Sequence, residues 1–117
     1  MKKLTIYHNP RCSKSRETLA LIQQHNIEPS IVLYLETPPS TTELASLLAR
    51  LRLKPRDLLR QSEPEYKTLL LNNMALSDIA LINAMVKHPK LIERPIVATA
   101  QKAVIGRPPE NVLELIK

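Results

Sequence analysis

A β-rich run, a loop, a helical pattern and a second β-rich run follow one another between Leu4 and Leu35. This succession constrains the fold more than anything else in the chain. Leu4-Thr5-Ile6-Tyr7 does not alternate in polarity, so it reads as a strand buried on both faces. A helix is expected from Ser13 to about His25-Asn26, with Leu19, Leu21 and Ile22 as its apolar positions, and Pro29 marks the turn after it. Ile31-Val32-Leu33-Tyr34-Leu35 is the second strand. A strand, helix and strand in so short a stretch make a βαβ unit with parallel strands and a right-handed crossover.

The pattern then changes. Thr37-Pro38-Pro39 breaks the chain, and Ser40-Thr41-Thr42-Glu43 reads as a capping box that opens a helix carrying Leu44, Leu47, Leu48 and Leu51. Pro55 begins a short helical piece through Leu58-Leu59-Arg60, and Glu63-Pro64-Glu65 reads as a loop. Tyr66–Leu71 offers one or two more turns. Ser77-Asp78 caps a further helix with Ile79, Leu81, Ile82, Met85 and Val86, stopped by Pro89. Strands resume at Pro95–Thr99 and Ala103–Gly106, spaced as an antiparallel hairpin. Pro108-Pro109 opens a last helix whose expected buried side is Val112, Leu113 and Ile116. The expected organisation is one domain, with 1–39 and 90–117 forming a mixed four-stranded α/β core and 40–89 a helical insert.

Composition narrows the function. The 117 residues are 44% hydrophobic with no Phe or Trp, so the core must be aliphatic. A single cysteine cannot close an intramolecular disulfide, which fits a reducing cytoplasm. The apolar run after Met1-Lys2-Lys3 is too short for a signal peptide, and none approaches the roughly 20 residues of a membrane span. The net charge of +6 is dispersed apart from the patch Arg50–Arg56, which reads as the solvated end of a helix. With no zinc spacing and few aromatics for base stacking, neither a metal nor a nucleic acid is expected. No surplus apolar stripe calls for self-association, so a monomer is expected.

The chemistry is expected at Cys12, in His8-Asn9-Pro10-Arg11-Cys12-Ser13-Lys14-Ser15-Arg16. The loop places the thiol at the start of the first helix, where unpaired N–H groups and the helix dipole favour a thiolate and a bound anion. Arg11, Lys14 and Arg16 add positive charge. A helix terminus supplies only about 0.5 to 1 kcal/mol, whereas one pKa unit is worth about 1.4 kcal/mol. Cations and hydrogen bonds must therefore do the rest. Two readings stay open for each neighbour. Ser15, three residues on, either turns its hydroxyl to the sulfur or is an exposed first-turn serine. His8 either donates to Cys12 or its loop, or is a surface residue at a strand end. The Cys-x5-Arg loop of phosphatase chemistry is absent, since Thr18 stands six residues after Cys12. Anion-binding arginines must come from elsewhere.

The chain resembles the glutaredoxin-coupled arsenate reductase family, a thioredoxin-like fold with a helical insert. The resemblance lies in Ile6–Arg16, Leu33–Pro39, Leu58-Leu59-Arg60, His88-Pro89, Ile92–Val97 and Ile105–Glu110. It implies that Cys12 is the nucleophile, that His8 and Ser15 lower its pKa, and that Arg60, Arg94 and Arg107 hold the arsenic oxyanion. It also implies that the Arg94-Pro95 bond matches the thioredoxin-fold proline that is usually cis. Thioredoxin-like folds can bring the strand ends before Pro95 and Pro108 beside the cysteine loop. The implied reaction reduces arsenate to arsenite through a Cys12–arsenic intermediate, with no bound cofactor, glutathione as co-substrate and glutaredoxin as partner. A related glutathione-dependent thiol oxidoreductase and a non-enzymatic regulator of the Spx type are the alternatives. Spx-type proteins carry Cys-x-x-Cys, and here the second position is Ser15.

Overall fold

The structure, a computed structural model, describes residues 3–116. These divide into two compact units. One runs to Thr37 and resumes at Arg94, and the other is Pro38–Glu93.

In the first unit, β1 (Thr5–Tyr7), α1 (Ser13–Gln24) and β2 (Ser30–Val32) form the βαβ element. β3 (Ile96–Ala98) and β4 (Ala103–Ile105) complete a four-stranded sheet of order β2-β1-β3-β4. β1 pairs with β2 in parallel and with β3 antiparallel, and β3 pairs with β4 antiparallel. This is the mixed sheet of a thioredoxin-like fold. Ile6 stands opposite Val97 in the register, and both side chains are fully buried. They form one aliphatic cluster with Leu4, with Ile22 from α1, and with Val112 and Leu115 from the closing segment.

Two expectations for this unit are corrected. β2 ends at Val32, not Leu35, because the Leu33 carbonyl accepts from the N–H groups of Glu36 and Thr37 at 2.9 and 2.8 Å and closes a turn. Leu33 and Leu35 are thereby left exposed. The closing segment is a 3₁₀ turn (Pro109–Val112) followed by α6 (Leu113–Ile116). The change of helical pitch puts Leu115 in the core, while Leu113 and Ile116 are only half-buried.

The second unit is helical: α2 (Thr41–Leu51), α3 (Pro55–Leu58), α4 (Pro64–Thr68), α5 (Asp78–Lys87) and a 3₁₀ turn (Pro89–Leu91). Ser40 Oγ accepts from Glu43 N and Ser77 Oγ from Ala80 N, both at 3.1 Å, so each serine caps its helix. Leu44, Leu47 and Leu48 of α2 and Leu81 and Met85 of α5 are buried. Three differences from the sequence reading appear. Pro64 starts α4 rather than lying in a loop, because a proline at the first helical position loses no hydrogen bond. α3 stops at Leu58, and Leu59 instead makes an antiparallel bridge to Ile92. Ile79 faces outward, 71% exposed.

Ile22 is fully buried among side chains from β1, β3 and the closing segment. Ile22→Ala should destabilise the protein by about 2 to 5 kcal/mol, read as a lower urea midpoint at unchanged slope. A loss under ~1 kcal/mol would mean that this cluster is not the core of its unit.

Candidate active site

β1 leads directly into the cysteine loop. Its last pairing continues one residue further, where His8 N donates to Val32 O at 2.8 Å. The loop then folds on itself through Cys12 N to Asn9 O (3.0 Å) and Arg11 N to Asn9 Oδ1 (3.0 Å). Cys12 takes the N-cap position of α1 in an extended conformation (φ −96°, ψ 122°). A sulfur therefore stands where a serine or aspartate oxygen would ordinarily cap a helix. It makes no cap bond of ordinary geometry, but the N–H groups of Ser15 and Lys14 point towards it and favour its charged form. No acidic residue lies in the first turn to offset that field.

The sulfur is buried, with 8% of the residue exposed. Burial by itself pushes the thiol up. The Ser15 N–H, the charge of Arg94, the Lys14 N–H and a hydrogen bond from Arg107 together outweigh burial and hold Cys12 below the ordinary thiol value. Arg107 Nη1 lies 3.7 Å from the sulfur and also donates to the Arg94 carbonyl at 3.3 Å. Arg94 and Arg107 each precede a cis proline, Pro95 and Pro108. The structure thus brings Cys12, Arg94 and Arg107 together.

His8 and Ser15 are both buried, at 6% and 0% exposure, so neither is a surface residue. They bond to each other, His8 Nδ1 to Ser15 Oγ at 2.6 Å, and Ser15 Oγ also accepts from Asn9 N at 3.0 Å. Burial and then the charge of Arg16 lower the His8 pKa. The shift favours the neutral imidazole at neutral pH, in which we assign Nδ1 as acceptor of the serine proton. The hydroxyl of Ser15 is spent on His8 and the loop, so Ser15 acts on the sulfur through its backbone N–H. Arg16, expected to tune the thiol, instead donates to the Pro10 carbonyl at 2.9 Å, and Lys14 pairs with Glu17 at 3.4 Å on the exposed face.

Arg60 belongs to the second unit. Its backbone N donates to Leu91 O at 2.8 Å, and its guanidinium lies 3.5 Å from Glu63 and 3.8 Å from Glu93. Among the described residues, no group of three or more His, Cys, Asp or Glu side chains is arranged to hold a metal, and no helix is long and apolar enough to cross a membrane.

A thiolate at a helix start, faced by arginines from two strand ends, suits nucleophilic attack on a tetrahedral oxyanion. The family model described as ArsC family matches residues 7–115. The chain belongs to the ArsC family. Relatives match over nearly its whole length. An Escherichia coli K12 protein called uncharacterized protein YfgD is 56% identical, over 98% of each chain. An arsenate reductase of Haemophilus influenzae is 50% identical, over 95% of this chain and 97% of its own. The solved structure of an arsenate reductase from Vibrio cholerae superposes with a TM-score of 0.94 at 54% identity, over 97% of each chain.

The sequence points to Cys12 and the family resemblance to Arg94 and Arg107, and neither marks the contacts around Gly106. Thr18 is fully buried, and its hydroxyl lies 3.2 Å from the Gly106 carbonyl. No local signal marks such a contact between residues 88 apart.

The lowered Cys12 pKa means that more thiolate is present at a given pH. Iodoacetamide alkylation should therefore reach half its limiting rate at a lower pH than free cysteine does. Arg107→Ala should move that midpoint up and slow alkylation at neutral pH about fivefold, as the loss of ~1 kcal/mol would. A midpoint at or above that of free cysteine in the unmodified protein would contradict the electrostatic account.

Proposed function

We propose that this protein reduces arsenate to arsenite in the cytoplasm, with glutathione and glutaredoxin as electron donors. The observation that carries the reading is the Arg107 guanidinium 3.7 Å from a thiolate-favouring Cys12, in a chain of which relatives named arsenate reductase share 44–50%. In this reading the Cys12 thiolate attacks arsenic, an S–As bond forms, and a protonated oxygen leaves as water. Arg94 and Arg107 hold the remaining oxygens with paired hydrogen bonds. Arg60 enters as a third binding arginine from the family motif alone. His8 and Ser15 keep the loop in the shape that presents its N–H groups to the sulfur.

The second thiol must come from outside, because the 117 residues hold one cysteine. Glutathione displaces a second oxygen as water, giving a Cys12–As(V)–glutathione adduct. The glutaredoxin thiolate attacks the glutathione sulfur. The As–S bond to glutathione breaks, its electron pair stays on arsenic, and glutaredoxin leaves as a mixed disulfide. Water then replaces Cys12 on arsenic(III), releasing arsenite and restoring the thiolate. A second glutathione reduces glutaredoxin, so two glutathiones become one disulfide for each arsenate reduced. A donor that needs an internal cysteine relay, as a thioredoxin-driven cascade would, has no relay cysteine to use.

The test couples arsenate to NADPH oxidation through glutathione, glutaredoxin and glutathione reductase. Arsenate-dependent turnover is expected with the unmodified protein and none with Cys12→Ser. Arg60→Ala should raise KM for arsenate about tenfold, as the loss of a charged hydrogen bond would. No arsenate-dependent rate would overturn the reaction, and equal turnover with thioredoxin and its reductase would overturn the donor.

A further inference from the structure

β4 ends at Ile105, two residues before Arg107. Beyond that point the sheet ladder no longer fixes the backbone, yet the three carbonyls from Ile105 to Arg107 are all held by side chains. Asn111 Nδ2 donates to Ile105 O at 3.0 Å and to Arg107 O at 3.2 Å, which uses both amide hydrogens. Between them, Gly106 O lies 3.2 Å from the hydroxyl of Thr18, whose single proton is shared between this carbonyl and the nearer Lys14 O at 2.8 Å. Gly106 N donates to Pro95 O at 2.9 Å. Gly106, the residue before Arg107, is therefore tied through its N–H to the segment that carries Arg94 and through its carbonyl to the helix that Cys12 caps.

The fit around Gly106 is close. A Cβ at Gly106 would stand 2.5 Å from Thr18 Oγ1, 2.9 Å from Thr18 Cγ2 and 2.9 Å from Pro95 Cγ. The one glycine of the chain is thus where α1, the Pro95 segment and the end of β4 come together. Thr18 is fully buried, and Asn111 sits on a 3₁₀ turn anchored by the buried Pro109 and Val112. Both holding groups stand on rigid supports.

We infer that Thr18 and Asn111 are positioning residues that brace the 105–107 backbone and so fix the reach of the Arg107 guanidinium to the Cys12 sulfur. Neither contacts the sulfur. Thr18 acts through the Gly106 carbonyl and Asn111 through the carbonyls on either side of it. The brace matters because Arg107 is an exposed residue with a long, flexible stem. Its guanidinium also donates to the Arg94 carbonyl at 3.3 Å, and the held backbone origin sets its reach to the sulfur.

The inference rests on Cys12 being the nucleophile of the proposed reaction, but alkylation by iodoacetamide tests it without arsenate. The rate at neutral pH is compared for Thr18→Val, Thr18→Ser and Asn111→Ala, each made in the unmodified protein and in Arg107→Ala. Thr18→Val and Asn111→Ala should slow alkylation about two- to fivefold in the unmodified protein, approaching but not exceeding the Arg107→Ala effect, and should add nothing once Arg107 is gone. Thr18→Ser, which keeps the hydroxyl, should restore the rate. A role confined to stability would slow both backgrounds equally, and that result would overturn the inference, as would an unchanged rate in the unmodified protein. Asn111 is exposed, so its variant carries the comparison if Thr18→Val does not fold. Loss of arsenate turnover with alkylation unaffected would count against the brace while leaving the proposed reaction standing.

Discussion

The structure depends on a sulfur in the place of a helix cap. At an N-cap, a side-chain acceptor ordinarily neutralises N–H groups that the helix cannot use. Cys12 stands there without closing a cap bond, so those N–H groups remain available to stabilise charge on the sulfur or on an anion bound to it. Burial opposes this, because a thiolate loses water on entering the protein. A half-measure would leave a neutral, inert thiol. The opposing effects are reconciled by charge from outside the loop: Arg94 and Arg107, delivered from the strand side of the same unit.

That arrangement explains why the first unit is built as it is. The parallel β1–β2 crossover aims α1 so that its start meets the end of β1, and the antiparallel β3–β4 hairpin returns two arginines to that place. The aliphatic cluster of Ile6, Ile22, Val97, Val112 and Leu115 holds sheet, helix and closing segment against each other without aromatic residues. His8 and Ser15 are core members of the same apparatus. Their hydrogen bond, and the Asn9 N–H that joins it, fix the loop from inside.

What could be read from the sequence was what local chemistry encodes. The Cys12 loop lies between a non-alternating apolar run and a helical pattern, and the serines at 40 and 77 announce their helices by position alone. What could not be read depends on contacts distant in the chain or on competing local options. Leu33 and Leu35 continue the apolar run of Ile31 and Val32, but the Leu33 carbonyl closes a turn instead. Pro64 is a turn residue in most settings and a helix-starter in this one. Ser15 is spaced to meet the sulfur, yet its hydroxyl goes to a histidine seven residues back. The Thr18–Gly106 contact is set entirely by tertiary packing. Family resemblance supplied Arg94 and Arg107 where spacing could not, since each is one arginine among many until the strands are paired.

In the proposed reaction the Cys12 sulfur itself carries arsenic during turnover. Intact-mass spectrometry of the protein incubated with arsenate and glutathione, quenched before and after addition of glutaredoxin, tests it most directly. The expected result is a mass increase corresponding to arsenic joined to glutathione, located on the peptide containing Cys12 and discharged by glutaredoxin. Arsenite produced at full rate by a protein that never gains arsenic mass on that peptide would contradict it.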